Sequence, residues 1–182
     1  MNNNDFSNAS IKFKEYLNID ISSDGERQAD SWMRIGDCYF IQRQYNNAIT
    51  AYSNAVKTNN RNADYAYFQQ AMGYGALGKT NDKINNLNVI VSKYQKSAFY
   101  DRAIYEIGMT YLNTNDSRSA IASFEKVIKE RQRSIYARKA LMKIGMIYYN
   151  NDENDKALES LKTIVAQYPN TEESREALNI IS

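Results

Sequence analysis

Trp32-Met33-Arg34-Ile35-Gly36-Asp37-Cys38-Tyr39, followed nine residues on by Ala48-Ile49-Thr50-Ala51-Tyr52-Ser53-Asn54-Ala55, is the stretch whose reading decides the fold. Its first half puts Trp32, Ile35, Gly36 and Tyr39 at i, i+3, i+4 and i+7, the spacing that lines one face of an α-helix. Its second half puts Ala48, Tyr52 and Ala55 on one face of a second helix, facing back across a short turn. The pattern then returns. Gly36, Ala71, Gly108 and Gly145 follow one another at intervals of 35, 37 and 37 residues. Each has a tyrosine three residues later (Tyr39, Tyr74, Tyr111, Tyr148) and a bulky apolar residue four residues earlier (Trp32, Tyr67, Ile104, Leu141). Self-similarity at this period predicts an all-α solenoid of stacked helical hairpins, each unable to bury its apolar face alone. The function such an array implies is binding.

In the third unit Ile104, Ile107, Gly108 and Tyr111 precede Ala120, Phe124, Val127 and Ile128. In the fourth, Leu141, Ile144, Gly145 and Tyr148 precede Ala157, Leu161, Ile164 and Val165. A Gly or Ala on the first helix, set opposite an Ala of the second, is expected to let the two backbones approach. The second unit departs from this: Gln70 and Lys83 stand where the others have Ile and Ala, so its hairpin is expected to pack less regularly, with Lys83 reaching out to water. Phe6, Ala9, Phe13 and Leu17 match a second helix without its first, and Thr171 to Ile181 a first helix without its second. About ten helices follow, in one array over 1–182. Its divisions are a truncated repeat at 5–20, full repeats at 29–62, 64–97 (degenerate), 101–134 and 138–171, and a truncated repeat at 172–182. An array that stops on Ile180 and Ile181 reads as a piece of a longer scaffold, with uncapped ends open to fraying or self-association.

Composition excludes several function classes. One Pro and seven Gly favour helix over turn-rich β structure. The wealth of Tyr and Asn, alongside Ile and Lys, has the bland origin of a low-GC coding sequence. A formal net charge of +2 announces neither nucleic acid nor an anionic membrane as partner. No run of eighteen apolar residues exists, and the polar start Met1-Asn2-Asn3-Asn4-Asp5 is not a signal peptide, so no direct membrane insertion is expected. With no histidine in the chain, Ser-His and Cys-His catalysis and His-containing zinc sites are absent; Cys38 reads as a packed, inert thiol. No phosphate-cradling or dinucleotide glycine pattern appears. Asp152, Glu153 and Asp155 lack the spacing of a calcium loop and read as a helix start. The expectation is no enzyme, no cofactor and no metal.

Trp32-x2-Ile35-Gly36-x2-Tyr39 with Ala48-x3-Tyr52-x2-Ala55 resembles the tetratricopeptide repeat signature, and Tyr168-Pro169-Asn170-Thr171 resembles its terminating turn. The resemblance covers nearly the whole chain. It implies antiparallel helix hairpins wound into a right-handed superhelix, with a protein or peptide partner. The 37-residue spacing and the Tyr-Pro-Asn-Thr turn are similar to arrays of bacterial cell-envelope proteins, such as outer-membrane assembly lipoproteins and Tol-associated proteins. That implies a periplasmic or outer-membrane-associated home.

One residue on from the packing stripe of each first helix runs a second stripe, which by resemblance lines the concave groove of tetratricopeptide arrays. It comprises Met33, Asp37 and Phe40; Phe68, Met72 and Gly75; Tyr105, Met109 and Leu112; and Met142, Met146 and Tyr149, with Tyr65 beside it. A Met-rich wall repacks around different apolar partners, and tyrosines add area and a hydroxyl for a peptide backbone. Gly73 and Gly75 inside a first helix fit a close approach there, or a kink. The expected ligand is an apolar or amphipathic peptide segment. The same stripe also serves a structural spacer, in which it only packs against neighbouring first helices. Capture of a chaperone C-terminus is not expected, because the Lys and Asn of a carboxylate clamp are replaced by Met33, Phe68, Met72, Met109 and Met146. Lys139 and Lys143 lie one turn apart without the matching asparagines.

Charge is uneven along the chain. Lys126, Lys129, Arg131, Arg133, Arg138, Lys139 and Lys143 make 126–143 basic, while 151–182 is acidic. This reads either as solvated outer faces or as a docking patch for an acidic protein surface. Nucleic acid is not the expected partner, since no aromatic-basic platform accompanies the charges.

Overall fold

The structure, a computed structural model, describes residues 3–19, 25–58 and 62–181. Asp20, the end of the expected 5–20 helix, and residues 59–61 of the first full repeat lie outside the described residues, as do the chain's first two residues and its last. The described residues form ten helices and no strand. They are α1 (Asn3–Ile19), α2 (Gly25–Ile41), α3 (Tyr45–Lys57), α4 (Ala63–Ala76), α5 (Thr80–Lys93), α6 (Tyr100–Asn113), α7 (Ser117–Glu130), α8 (Ile135–Asn150), α9 (Asn154–Gln167) and α10 (Glu172–Ile181). The all-α hairpin array expected from the period is therefore the fold.

The chain divides into two compact units, Met1–Phe99 and Tyr100–Ser182. In the first, each helix packs on the next, from α1 on α2 through α4 on α5. In the second the same holds from α6 to α10, and the first helices also touch one another, α6 with α8 and α8 with α10.

Gly36, Gly108 and Gly145 of α2, α6 and α8 each face a large side chain of the second helix, which corrects the expectation of an opposing alanine. A Cβ on Gly36 would lie 2.5 Å from the Tyr52 ring, and one on Gly108 2.5 Å from the Phe124 ring. Both rings are fully buried. At Gly145 the facing residue is Leu161, and a Cβ there would stand at an ordinary 3.4 Å. The flat ring thus takes the volume that a methyl group would need. In the degenerate hairpin, Gln70 is buried and donates to Ser53 Oγ of α3 at 3.0 Å, so a polar bond stands where the other hairpins place isoleucine. Lys83 does not simply reach outward: its stem crosses Gly75, where a Cβ would lie 3.0 Å from Lys83 Cδ. Gly73 similarly admits Ile49, 3.0 Å from a Cβ placed there. Both glycines serve close packing, and α4 runs through them unbroken.

The first helices α2, α4, α6 and α8 end the same way. Arg43, Gly78, Asn115 and Asp152 adopt left-handed backbone, with φ of 59°, 70°, 60° and 61°. The N–H that follows each returns to a carbonyl five residues earlier, as from Gln44 to Tyr39 at 2.9 Å and from Glu153 to Tyr148 at 2.9 Å. This closes the orphan carbonyls of the helix end. Asp152 thereby ends α8, while Glu153 and Asp155 open α9, the helix start expected of the acidic cluster. After α9, Tyr168 donates to the Gln132 carbonyl at 2.7 Å, and Thr171 Oγ1 accepts from the Ser174 N–H at 3.2 Å to begin α10.

Candidate functional site

In the first unit the second stripe of α2 is built around Asp37. The residue sits one position past Gly36, so its carboxylate meets the tip of the ring that crosses that glycine. Tyr52 donates its hydroxyl to Asp37 Oδ1 at 2.8 Å, and Tyr65 of α4 donates to the same oxygen at 2.5 Å. Gln69 Nε2 donates in turn to the Tyr65 hydroxyl at 3.0 Å. Burial, then the adjacent Asp37 charge, pushes the Tyr52 phenol far above its ordinary range; burial and the bond to Asp37 push Tyr65 up to about 12. Both hydroxyls therefore stay protonated donors. Burial, with Asp37 adding, also raises the neighbouring Cys38 thiol, as fits a packed, unreactive cysteine.

Aromatic rings extend from this carboxylate. Tyr65 meets Tyr52 edge-on at 6.3 Å and Phe99 at 5.8 Å, while Phe99 stacks on Phe68 at 5.0 Å. Asp30, Met33, Arg34, Asp37, Asn62, Asp64, Tyr65 and Phe99 line a cleft of about 360 Å³. The stripe is not uniformly accessible. Met33 and Phe68 are core residues, 5% and 2% exposed, whereas Phe40, Tyr65 and Met72 are half-buried and Gly75 is exposed. Phe40 packs edge-on against Tyr45 at 5.3 Å.

The second unit handles the same positions with apolar chemistry. Tyr105 lies between Phe124 and Tyr136, each at 5.5 Å, and Met109 and Leu112 are half-buried. Met142 is core, at 4% exposure. Met146, half-buried, and Tyr149, exposed, join Gly145, Asn150, Leu161 of α9 and Ile180 of α10 around a cleft of about 380 Å³. Leu161 and Ile180 carry no stripe position of their own. They enter because the leucine facing Gly145 leaves space that an aromatic ring would fill.

The basic stretch is partly spent on structure. Arg131 pairs with Asp101 at 3.0 Å and lies 4.6 Å over the Tyr100 ring. Arg138 Nε stands 2.8 Å from Glu173 Oε2 of α10, an ion pair without hydrogen-bond alignment. Lys126, Lys129, Arg133 and Lys139 are exposed and Lys143 half-buried. Tyr100 also donates to Glu130 Oε2 at 2.6 Å, so acids are interleaved with these cations. Among the described residues, no three His, Cys, Asp or Glu side chains are grouped to hold a metal ion, and no helix is long and apolar enough to cross a membrane.

Tetratricopeptide repeat models match residues 29–62 and 101–133, and a further tetratricopeptide repeat model matches 139–171. The chain belongs to the tetratricopeptide repeat family. No curated protein matches the sequence. Among solved structures, the chain is similar to MamA at 20% identity, with a TM-score of 0.71 over 90% of this chain and 89% of that one. It is also similar to YrrB, described as a TPR protein with an unusual peptide-binding site, at 18% identity and a TM-score of 0.67, over 97% and 84% of the two chains. A tetratricopeptide repeat protein from Parabacteroides merdae aligns at 16% identity and a TM-score of 0.70, over 92% of this chain and 62% of that one. At these identities the likeness is one of fold.

Sequence reasoning named Asp37 and Tyr65 as wall residues of an apolar groove, yet missed Tyr52 as the partner that joins them. The signal was present: Tyr52 is the only tyrosine among Tyr52, Leu87, Phe124 and Leu161, and Asp37 the only acid among Asp37, Met72, Met109 and Met146. Asp30, Asp64 and Phe99 of the first cleft were missed because they lie off the stripe.

Proposed function

We propose that this tetratricopeptide array holds an apolar or amphipathic peptide segment against its first helices. The observation that carries this reading is the cleft over Gly145, Met146 and Leu161. At about 380 Å³ it falls within the roughly 300–1,000 Å³ of small-ligand pockets. Its mouth is edged by Tyr149, 62% exposed, and Ile180, 45% exposed. A large apolar side chain of the partner fills such a space, Met146 adjusts to its shape, and the Tyr149 hydroxyl is available to the partner's backbone. YrrB, with its unusual peptide-binding site on a similar array, is in keeping with this use of the fold. The sequence resemblance supports an envelope home, which cell fractionation with an antibody to the chain would test.

A spacer role draws support from the burial of Met33, Phe68 and Met142, which gives part of the stripe to packing. Docking of an acidic protein draws less, since Arg131 and Arg138 already hold carboxylates. Selection of a random displayed peptide library on the folded protein separates these roles. Peptides with large apolar residues are expected to enrich, and to bind Tyr149→Ala and Ile180→Ser about tenfold more weakly. Both positions are exposed, so circular dichroism should show intact helix. Failure to enrich any peptide, or equal binding by both variants, would overturn the reading.

A further inference from the structure

We propose that the cleft over Asp37 in the first unit receives a cationic side chain, arginine foremost, from the bound peptide. This rests on the peptide-binding reading above and names the chemistry of a separate subsite. Tyr52 and Tyr65 both donate to Asp37 Oδ1. The second oxygen, Oδ2, has no hydrogen-bond donor among the described residues. The two hydroxyls hold the carboxylate in place with one oxygen left to accept.

The surroundings suit a cation and disfavour other occupants. Among the described residues, three carboxylates, those of Asp30, Asp37 and Asp64, line the cleft against one guanidinium, that of Arg34. Arg34 is itself drawn to Asp30 on the same helix at 3.5 Å. An acidic ligand would meet repulsion, and an apolar one would strip water from Asp37 Oδ2 without replacing its hydrogen bond. Tyr65 and Phe99 supply aromatic surface for a guanidinium, with Phe99 held by its stacking on Phe68. The second unit contains the same combination satisfied internally, where Arg131 lies over Tyr100 and pairs with Asp101. Around Asp37 the ring and the carboxylate are present, and among the described residues no cation is paired with that carboxylate.

The test is a titration of the whole protein, carrying isotope-labelled aromatic residues, with Nα-acetyl-arginine N-methylamide and with its neutral citrulline counterpart. Saturable shifts of the Tyr65 and Phe99 ring signals are expected with arginine, weakened about tenfold by citrulline or by Asp37→Asn, and reduced by added salt. Asparagine keeps an oxygen to accept both tyrosine hydroxyls, so the variant should fold. Should it not, Asp64→Asn at the cleft's edge replaces it, with a loss of about threefold. Equal response to citrulline, an unchanged response in the variant, or no saturable shift would overturn the proposal. Because the probe is a single residue, the outcome is independent of the peptide selection. A negative titration beside a successful peptide selection would sink this subsite and leave the peptide-binding reading; a positive titration with no selected peptide would do the reverse.

Discussion

Asp37 and Tyr52 of the first hairpin stand at the same repeat positions as Met146 and Leu161 of the fourth, and the two pairs solve one packing problem in opposite ways. Under Gly36 an aromatic ring lies flat against the helix, and its hydroxyl must find an acceptor in the interior, which Asp37 provides at 2.8 Å. Over Gly145 a leucine leaves room, no hydroxyl needs satisfying, and methionine and tyrosine border an apolar cleft instead. The choice at the facing position of the second helix therefore sets the chemistry of the adjoining surface. Tyr52 does so from behind Asp37, whereas Leu161 lines the cleft itself.

The largest effect should come from breaking the polar pair. Asp37→Met leaves the buried Tyr52 hydroxyl without its acceptor, which costs about 1–3 kcal/mol, and removes the bond from Tyr65 besides. Adding Tyr52→Phe removes the orphaned hydroxyl and recreates the Met109 and Phe124 pair of the third hairpin, so roughly half the lost stability should return. Urea unfolding of the single and double variants measures this. A double variant no more stable than Asp37→Met would show that the two residues are not coupled.

Next in size is the small-residue position itself. Gly36→Ala forces a methyl to within 2.5 Å of the Tyr52 ring, where the buried ring has nowhere to move. A loss of about 1–3 kcal/mol is expected from overpacking. Gly145→Ala places its methyl 3.4 Å from Leu161, an ordinary contact, and gains up to about 1 kcal/mol from helix propensity. Thermal unfolding should thus move in opposite directions for the same substitution. In the second hairpin the same register pairs Ala71 with Leu87, so a methyl already stands at this position where the partner is a leucine. Equal losses at both sites would mean that the spacing, not the facing side chain, demands glycine.

These contrasts also mark how far the sequence could be read. Gly36, Gly108 and Gly145, with the tyrosines that follow, announce the hairpins because helical packing imposes a period that survives residue changes. Helix partners follow, since short turns leave little choice. The coupling of Asp37 to Tyr52 was not legible from either helix alone: a stripe analysis treats each helix separately, and Asp37 then looks like an odd polar member of an apolar wall. Phe99 was still less legible, for it lies ahead of α6 and reaches Phe68 through the path of the chain between helices. Arg131 and Arg138 looked like free charge because their partners, Asp101 and Glu173, are about thirty residues away in sequence.

The smallest effect tests the same polar pair through pH. Tyr65 has its phenol raised to about 12 in the fold, and Tyr52 is raised further still, by burial first and Asp37 second. An unfolded tyrosine ionises near pH 10. Below that value both states keep the proton and stability is unaffected. Between about 10 and 12 the unfolded chain releases protons that the folded chain retains, so stability falls as pH rises. For Tyr65, which is partly solvated, the loss at pH 11 should be about 1 kcal/mol or less. Tyr100 of α6 is also raised to about 12 and adds an alkaline loss of its own, so the informative quantity is a difference. Unfolding of the wild type and of a Tyr52→Phe, Tyr65→Phe variant, followed from pH 8 to pH 11.5 by the helical circular dichroism signal, should show the shallower decline in the variant. Parallel declines would place the alkaline sensitivity outside the first hairpin and leave Asp37 as a packing residue whose charge is indifferent to its tyrosines.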